Sequence, residues 1–237
     1  MVPPRVLLFD VNETLLDLAA LRPHFERVFG ANAAGGMLPV WFARLLHAST
    51  VWFARLLHAS TVCTLTKAYT DFGTLAGETL QAMADDLGVA LSPADREAVL
   101  TQMQHLGPHP DVVPALERLK AAGYRLAALT NSAQAVADAQ LHHAGLHAYF
   151  EAVFSVESVE RFKPAAEPYR WAAAELGGVP ADLRMIAAHD WDIHGALRAG
   201  LHGAYVARQG KAYPPHYDAP DVVGRDLAAV ANLLLEG

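Results

Sequence analysis

The chain opens on a short, continuous apolar run, Val6-Leu7-Leu8-Phe9, inside Arg5–Asp10. A run with no polar alternation predicts a strand buried on both faces, as at the centre of a parallel sheet. From Tyr124 onward, apolar runs alternate with helical periodicity. Strands are predicted at Tyr124–Thr130, Ala152–Ser155, Leu183–His189 and Gly203–Ala207. Helices are predicted at Val112–Ala122, Ala133–Ala144, Ala166–Leu176, Asp192–Ala199 and Leu227–Leu235. Such alternation implies right-handed βαβ units, hence an α/β fold with a doubly wound, Rossmann-like parallel sheet.

The stretch between the first two strands differs. From Leu16 to Gln104 the pattern is helical, and its most strand-like run, Thr61–Thr66, lacks close Gly or Pro punctuation. Ser92-Pro93-Ala94-Asp95-Arg96-Glu97 reads as an N-cap followed by proline in the first turn. An inserted helical cap over residues 16–104 is therefore expected, with the core formed by 1–15 and 105–237. Pro108, His109 and Pro110 mark the return to the core. Val40–Thr50 reads VWFARLLHAST, and Val51–Thr61 repeats it residue for residue. This is a recent or engineered tandem duplication, not a solenoid repeat. Eleven residues turn a helix through about 1,100°, three turns plus about 20°. The insertion can lengthen a helix by about 16 Å with nearly the same buried face, or loop out. The sequence leaves both open.

Composition narrows the classes. With 53% apolar residues, the 237-residue chain has ample material for a core. A formal net charge of −7 argues against nucleic acid as a partner. The single cysteine, Cys63, excludes an internal disulfide and a cysteine metal cage, and it is expected to be a small buried hydrophobe. A reducing, cytoplasmic setting is the expectation. The longest stretch free of charged side chains, Val28–Ala43, holds Gly35, Gly36 and Pro39, so no membrane span and no membrane partner are expected. The first strand begins too early for a signal peptide. His142-His143 reads as a solvent-facing helix end, since neighbouring residues point apart.

Open α/β sheets bind ligands at the carboxyl ends of their strands. Those ends deliver Asp10-Val11-Asn12-Glu13-Thr14, then Thr130-Asn131-Ser132, then Lys163-Pro164 from a loop, then His189-Asp190-Trp191-Asp192. A carboxylate, a hydroxyl–amide pair, a lysine and a carboxylate cluster would converge on one crevice. The blocks Phe9–Leu15, Leu129–Ser132, Phe162–Pro164 and Asp192–Ala196 occur in the order seen in the haloacid dehalogenase-like hydrolase superfamily, which the chain resembles over its whole length. The resemblance implies that Asp10 is a nucleophile forming a covalent aspartyl intermediate.

Two departures from the superfamily's phosphatases favour its dehalogenase branch. Asn12 stands where phosphatases carry a second Asp that protonates an alkoxide, and an amide is no general acid. Ala187 and Ala188 stand where an acidic residue would hold Mg²⁺. The chain looks most like the type II, or L-2-haloacid, dehalogenases; Tyr169, six residues after Lys163, and Trp191-Asp192 fit that branch. The resemblance implies hydrolysis of small halogenated carboxylic acids with neither metal nor organic cofactor. Asp10 would displace halide, Lys163 would keep it ionised, Thr14 would donate to it, and Asp192 would position water. Asn12, Thr130, Asn131, Tyr169, His189 and Asp190 are candidate substrate-binding residues, with His189 and Asp190 competing for the water. Members of the branch place an arginine directly after a cap tryptophan to grip the halide. Here Phe42 and Phe53 follow Trp41 and Trp52, while Arg44 and Arg55 lie three positions on, about 300° around a helix. Phe42, Phe53, Arg44 and Arg55 are therefore further candidates. An Mg²⁺-dependent phosphatase and a catalytically weak binding or scaffold protein of the same fold are the alternatives, and a homodimer is compatible with each.

Overall fold

The computed structural model describes residues 4–30 and 48–236. The chain divides into two compact units, Met1–Asp17 with Gly107–Gly237, and Leu18–Leu106. Both crossings lie just beyond the expected boundaries.

The first unit is built on a six-stranded, all-parallel sheet in the order β3-β2-β1-β4-β5-β6. The strands are β1 Val6–Phe9, β2 Arg125–Thr130, β3 Ala152–Ser155, β4 Leu183–Ala187, β5 His202–Val206 and β6 Val222–Gly224. β1 and β4 are buried throughout, because each is flanked by strands on both edges and by helices on both faces. β1 pairs Val6 with Arg125 on one side and with Leu183 on the other. The edge strand β6 has only three residues, too few to make a legible apolar run. β4 is shorter than the expected Leu183–His189. It stops at Ala187, so His189 lies beyond it as the N-cap of the next helix.

Among the described residues, five α-helices flank this sheet: α5 Val112–Ala121, α6 Gln134–His143, α7 Ala166–Glu175, α8 Asp190–Ala199 and α9 Leu227–Glu236. α5 packs on α9, and α7 packs on α8. Right-handed crossovers in opposite directions from the central pair place the two helix pairs on opposite faces. The order reverses at β1, so the crevice beyond the carboxyl ends of β1 and β4 is the switch point where such sheets bind ligands.

The second unit, among its described residues, consists of α1 Arg22–Gly30, α2 Ala48–Thr66, α3 Phe72–Asp86 and α4 Pro93–Met103. Ser92 caps α4 by accepting from the Asp95 backbone N–H, with Pro93 in the first turn. Asp71 caps α3 in the same way through Thr74. The second copy of the duplicated segment lies wholly within α2, which begins in the last three residues of the first copy. The other eight residues of the first copy, with Phe42 and Arg44, lie outside the described residues. Ala48, Trp52, Phe53, Leu56 and Ser60 form the buried stripe of α2. Trp52 donates its indole N–H to the Ala76 carbonyl at 3.1 Å and packs on Phe25, while Phe53 meets Phe72 edge-on. Thr61–Thr66 completes the same helix, so its β-branched composition is overridden by helical continuity. Cys63 is half-buried on α2 rather than fully buried.

Candidate active site

Asp10 follows β1 directly, and its backbone N–H continues the ladder to the Ile186 carbonyl at 3.0 Å. The residue is only 5% exposed. Its Oδ1 accepts from Lys163 Nζ at 2.9 Å; its Oδ2 accepts from Thr14 Oγ1 at 2.7 Å and meets His189 Nδ1 at 3.2 Å. Thr14 Oγ1 itself accepts the Ala188 backbone N–H at 2.8 Å, which leaves its own hydrogen for Asp10.

The turn after the nucleophile is firmly pinned. Arg208 donates twice to the Thr14 carbonyl, at 3.1 and 2.7 Å, and once to Asp111 at 3.0 Å. His109 Nε2 lies 3.2 Å from the Glu13 carbonyl. Within that turn Glu13 takes φ 60°, a left-handed conformation that costs a non-glycine residue about 1–2 kcal/mol. Its carboxylate Oε2 sits 2.7 Å from His189 Nε2. His189 stacks on Trp191, the ring centroids 5.0 Å apart.

Lys163 is 1% exposed and spends all three ammonium protons. They go to Asp10 Oδ1, to the Leu129 carbonyl at 2.9 Å and to Asp192 Oδ2 at 2.6 Å. Its backbone N–H donates to Asn131 Oδ1 at 3.0 Å. Tyr169 donates to Asp192 Oδ1 at 2.6 Å. Asp192 is thus fully enclosed, with one donor on each oxygen. Asn12 is tied at both ends of its amide, donating to Ser132 Oγ at 3.3 Å and accepting from Gln140 Nε2 at 3.1 Å.

Charge balance explains the titration of the cluster. Burial alone pushes the Asp10 carboxyl up, but the Lys163 charge and the contacts from His189 outweigh it and hold Asp10 far below the usual range. Burial likewise disfavours the Lys163 ammonium, and the charges of Asp10 and Asp192 reverse that and raise it. Two carboxylates share this one lysine. Asp192, pushed up by burial and by the Asp10 charge against the pull of Lys163, ends above its ordinary value. Burial lowers the His189 imidazole, yet its hydrogen bonds to Asp10 and Glu13 carry it up to about 10. Burial raises Glu13, and the His189 contact more than compensates, leaving it lowered.

A divalent cation does not suit this arrangement. Ala187 and Ala188 offer no side-chain oxygen at the end of β4, and a cation between Asp10 and Asp192 would have to displace the Lys163 ammonium. Among the described residues no group of three or more His, Cys, Asp or Glu is placed to hold a metal ion.

The family model for haloacid dehalogenase-like hydrolases matches residues 4–200. The chain belongs to that family. Among its relatives is (S)-2-haloacid dehalogenase 4A of Burkholderia cepacia, 28% identical over 215 residues, which cover 90% of this chain and 87% of the relative. Another is (S)-2-haloacid dehalogenase H-109 of Pseudomonas putida, 27% identical over 237 residues and the whole of both chains. The solved L-2-haloacid dehalogenase of Xanthobacter autotrophicus superposes with a TM-score of 0.84 at 25% identity, covering 98% of each chain.

Of the sequence candidates, Asp10, Thr14, Lys163, Tyr169, His189 and Asp192 form one hydrogen-bonded cluster in the family core, and Asn131 joins it through the Lys163 backbone. Thr130 is buried and accepts from the Ser132 N–H, so it shapes the loop. Asp190 begins α8 and accepts the Trp191 N–H at 2.7 Å. Asn12 has a framework role in this structure. Within the helical unit Phe53 is buried against Phe72, and Arg55 pairs with Asp86 at 2.7 Å on its surface. Sequence patterning assigns no role to Glu13, Arg208, Gln140 or Ser132. Glu13 and Ser132 have a signal, since both lie in the polar blocks that follow β1 and β2. Gln140 and Arg208 reach the site from distant elements and carry no local motif.

Proposed function

We propose that the chain hydrolyses small (S)-2-haloalkanoic acids to 2-hydroxy acids through an ester on Asp10, without a metal ion. The observation that carries this reading is the Asp10–Lys163 pair. A buried carboxylate held ionised by a lysine at 2.9 Å is a nucleophile ready for displacement at carbon. Asp10 Oδ2 has two partners, so both its in-plane lone pairs are used; among the described residues Oδ1 has one partner and one lone pair left. Oδ1 therefore attacks the carbon bearing the halogen and expels halide. A halide leaves without a proton, and the bound Asn12 amide supplies none. Water then adds to the ester carbon and releases the hydroxy acid. The small haloacid as substrate and its (S) configuration are supported by the names of the relatives. No helix is long and apolar enough to cross a membrane among the described residues. A cytoplasmic location, supported by the single cysteine, and a homodimer, supported by exposed Val51, Val62 and Leu65 on α2, complete the reading.

The test is halide release from chloroacetate and from each enantiomer of 2-chloropropionate, with EDTA present. Asp10→Asn is expected to lower turnover by at least about 10⁴-fold, the scale of losing a covalent nucleophile. Release abolished by EDTA, or turnover of phosphate esters that needs Mg²⁺, would overturn the reading.

A further inference from the structure

We propose that His189, kept as an imidazolium by Glu13, is the cationic donor of an oxyanion cradle on Asp10 Oδ2 that serves the hydrolytic half of the reaction. The inference rests on the dehalogenase reading and extends it to the Glu13–His189 pair.

The geometry comes first. The two ring nitrogens of His189 face two carboxylate oxygens, Asp10 Oδ2 at 3.2 Å and Glu13 Oε2 at 2.7 Å. Both acceptors are ionised, so both nitrogens must carry hydrogen, and the ring is charged. Among the described residues, groups facing it include Asp10 from the end of β1, Glu13 from the following turn and the Trp191 ring from α8; Lys163 and Lys211 act at one remove, through Asp10 and Glu13. The lifted His189 pKa agrees with this charge state. The second donor to Oδ2 is Thr14, oriented by the Ala188 N–H. Glu13 supplies its carboxylate from a left-handed backbone position that glycine would occupy more easily. Strain held by several surrounding contacts is the kind retained where it does work.

Once Oδ1 is esterified, Oδ2 becomes the ester carbonyl oxygen. Water oxygen bonds to Cγ, and the carbonyl π pair moves onto Oδ2, where Thr14 and His189 already point. Collapse breaks Cγ–Oδ1, and Oδ1 departs with the product. One proton of the water ends on that oxygen and the other goes to solvent, so Asp10 returns as a carboxylate. Donors fixed in advance where charge develops lower the barrier without reorganisation. In the displacement step the charge on Asp10 falls instead of gathering on Oδ2, so His189 gives that step no comparable help.

The experiment mixes wild type and His189→Gln with excess (S)-2-chloropropionate, follows halide release from the first turnover, and weighs the acid-quenched protein. His189→Gln is expected to keep the first equivalent of halide within about tenfold of the wild-type rate, while steady-state turnover falls roughly 10²–10³-fold and the ester accumulates on Asp10. Equal loss of both phases, or steady-state turnover within about threefold of wild type with no ester, would overturn the inference and leave the dehalogenase reading standing. A wild type that releases no halide from any 2-haloacid overturns both. Glu13→Gln is the second arm, because it leaves His189 in place and removes the charge that holds its proton. Ester hydrolysis in this variant should lose rate with rising pH at a lower pH than in the wild type, because in the ester Asp10 is uncharged and Glu13 alone is left to hold the His189 proton. An unchanged alkaline limb would overturn the role of Glu13 and His189 as a charged pair.

Discussion

The sheet unit and the helical unit solve the same problem by opposite means. In the first, Asp10, Lys163 and Asp192 are packed where water is nearly excluded, His189 and Glu13 lie toward the edge of the same cluster, and each is matched to a named partner. In the helical unit the interior is apolar, and α2 is held by Trp52, Phe53 and Leu56 with one indole hydrogen bond. Charges in the first unit are fixed in position because a buried ion without its partner is costly. Apolar contacts in the second are tolerant of what is added outside them. An eleven-residue duplication sits in the tolerant unit, and none interrupts the strands that aim the charges.

The comparison is broken most directly at Lys163. Lys163→Met removes the ammonium between Asp10 and Asp192, leaving Asp192 without a cation and Asp10 with His189 alone. It should cost about 3–5 kcal/mol of stability, measured by urea unfolding at pH 7. The sign is checked by pH: Asp10 is held low in the folded state, so the stability it contributes is present above its unfolded value and lost on acidification. Part of the loss in Lys163→Met should therefore be recovered as pH falls and the carboxylates protonate. A loss below about 1 kcal/mol would mean that the pair is not sealed from water.

Removing one duplicated copy sharpens the contrast. Deleting 40–50 or 51–61 gives the same chain, and every residue type of the α2 buried stripe from Trp52 to Ser60 is retained. Stability should change by less than about 1 kcal/mol, since the deleted chain still supplies every residue type of that stripe. Cooperative unfolding lost in the deleted chain would show that the eleven added residues are themselves structural. The smallest effect belongs to Arg55→Ala, which removes an exposed pair with Asp86 and should cost about 0.5 kcal/mol or less in the same assay.

The parts of this architecture that are readable in the chain are those with local signals. β1, β2 and β4 announce themselves as apolar runs, and Ser92-Pro93 announces the start of α4. Asp10 and Thr14 are found by type and spacing just after β1, and Lys163 by its place in the loop before α7. β6 escapes because three residues against an edge carry no period. Glu13 escapes because its role depends on a backbone conformation that its residue type disfavours. Gln140 reaches Asn12 across 128 positions, a contact that only the packed sheet creates. The packing of Phe53 against Phe72 and the pairing of Arg55 with Asp86 likewise join residues 19 and 31 positions apart and carry no local motif.

The site also carries an unequal number of charges. Among the described side chains in direct contact, Asp10, Asp192 and Glu13 outnumber Lys163 and His189, leaving one negative charge in excess within that cluster when all five are ionised. Under the proposed reaction the ester removes that excess while the substrate's own carboxylate is held, and hydrolysis restores it at the moment the hydroxy acid is free. The returning charge then faces a product anion of the same sign. The enzyme's recovery of its nucleophile is in this way also the push that clears the site for the next molecule.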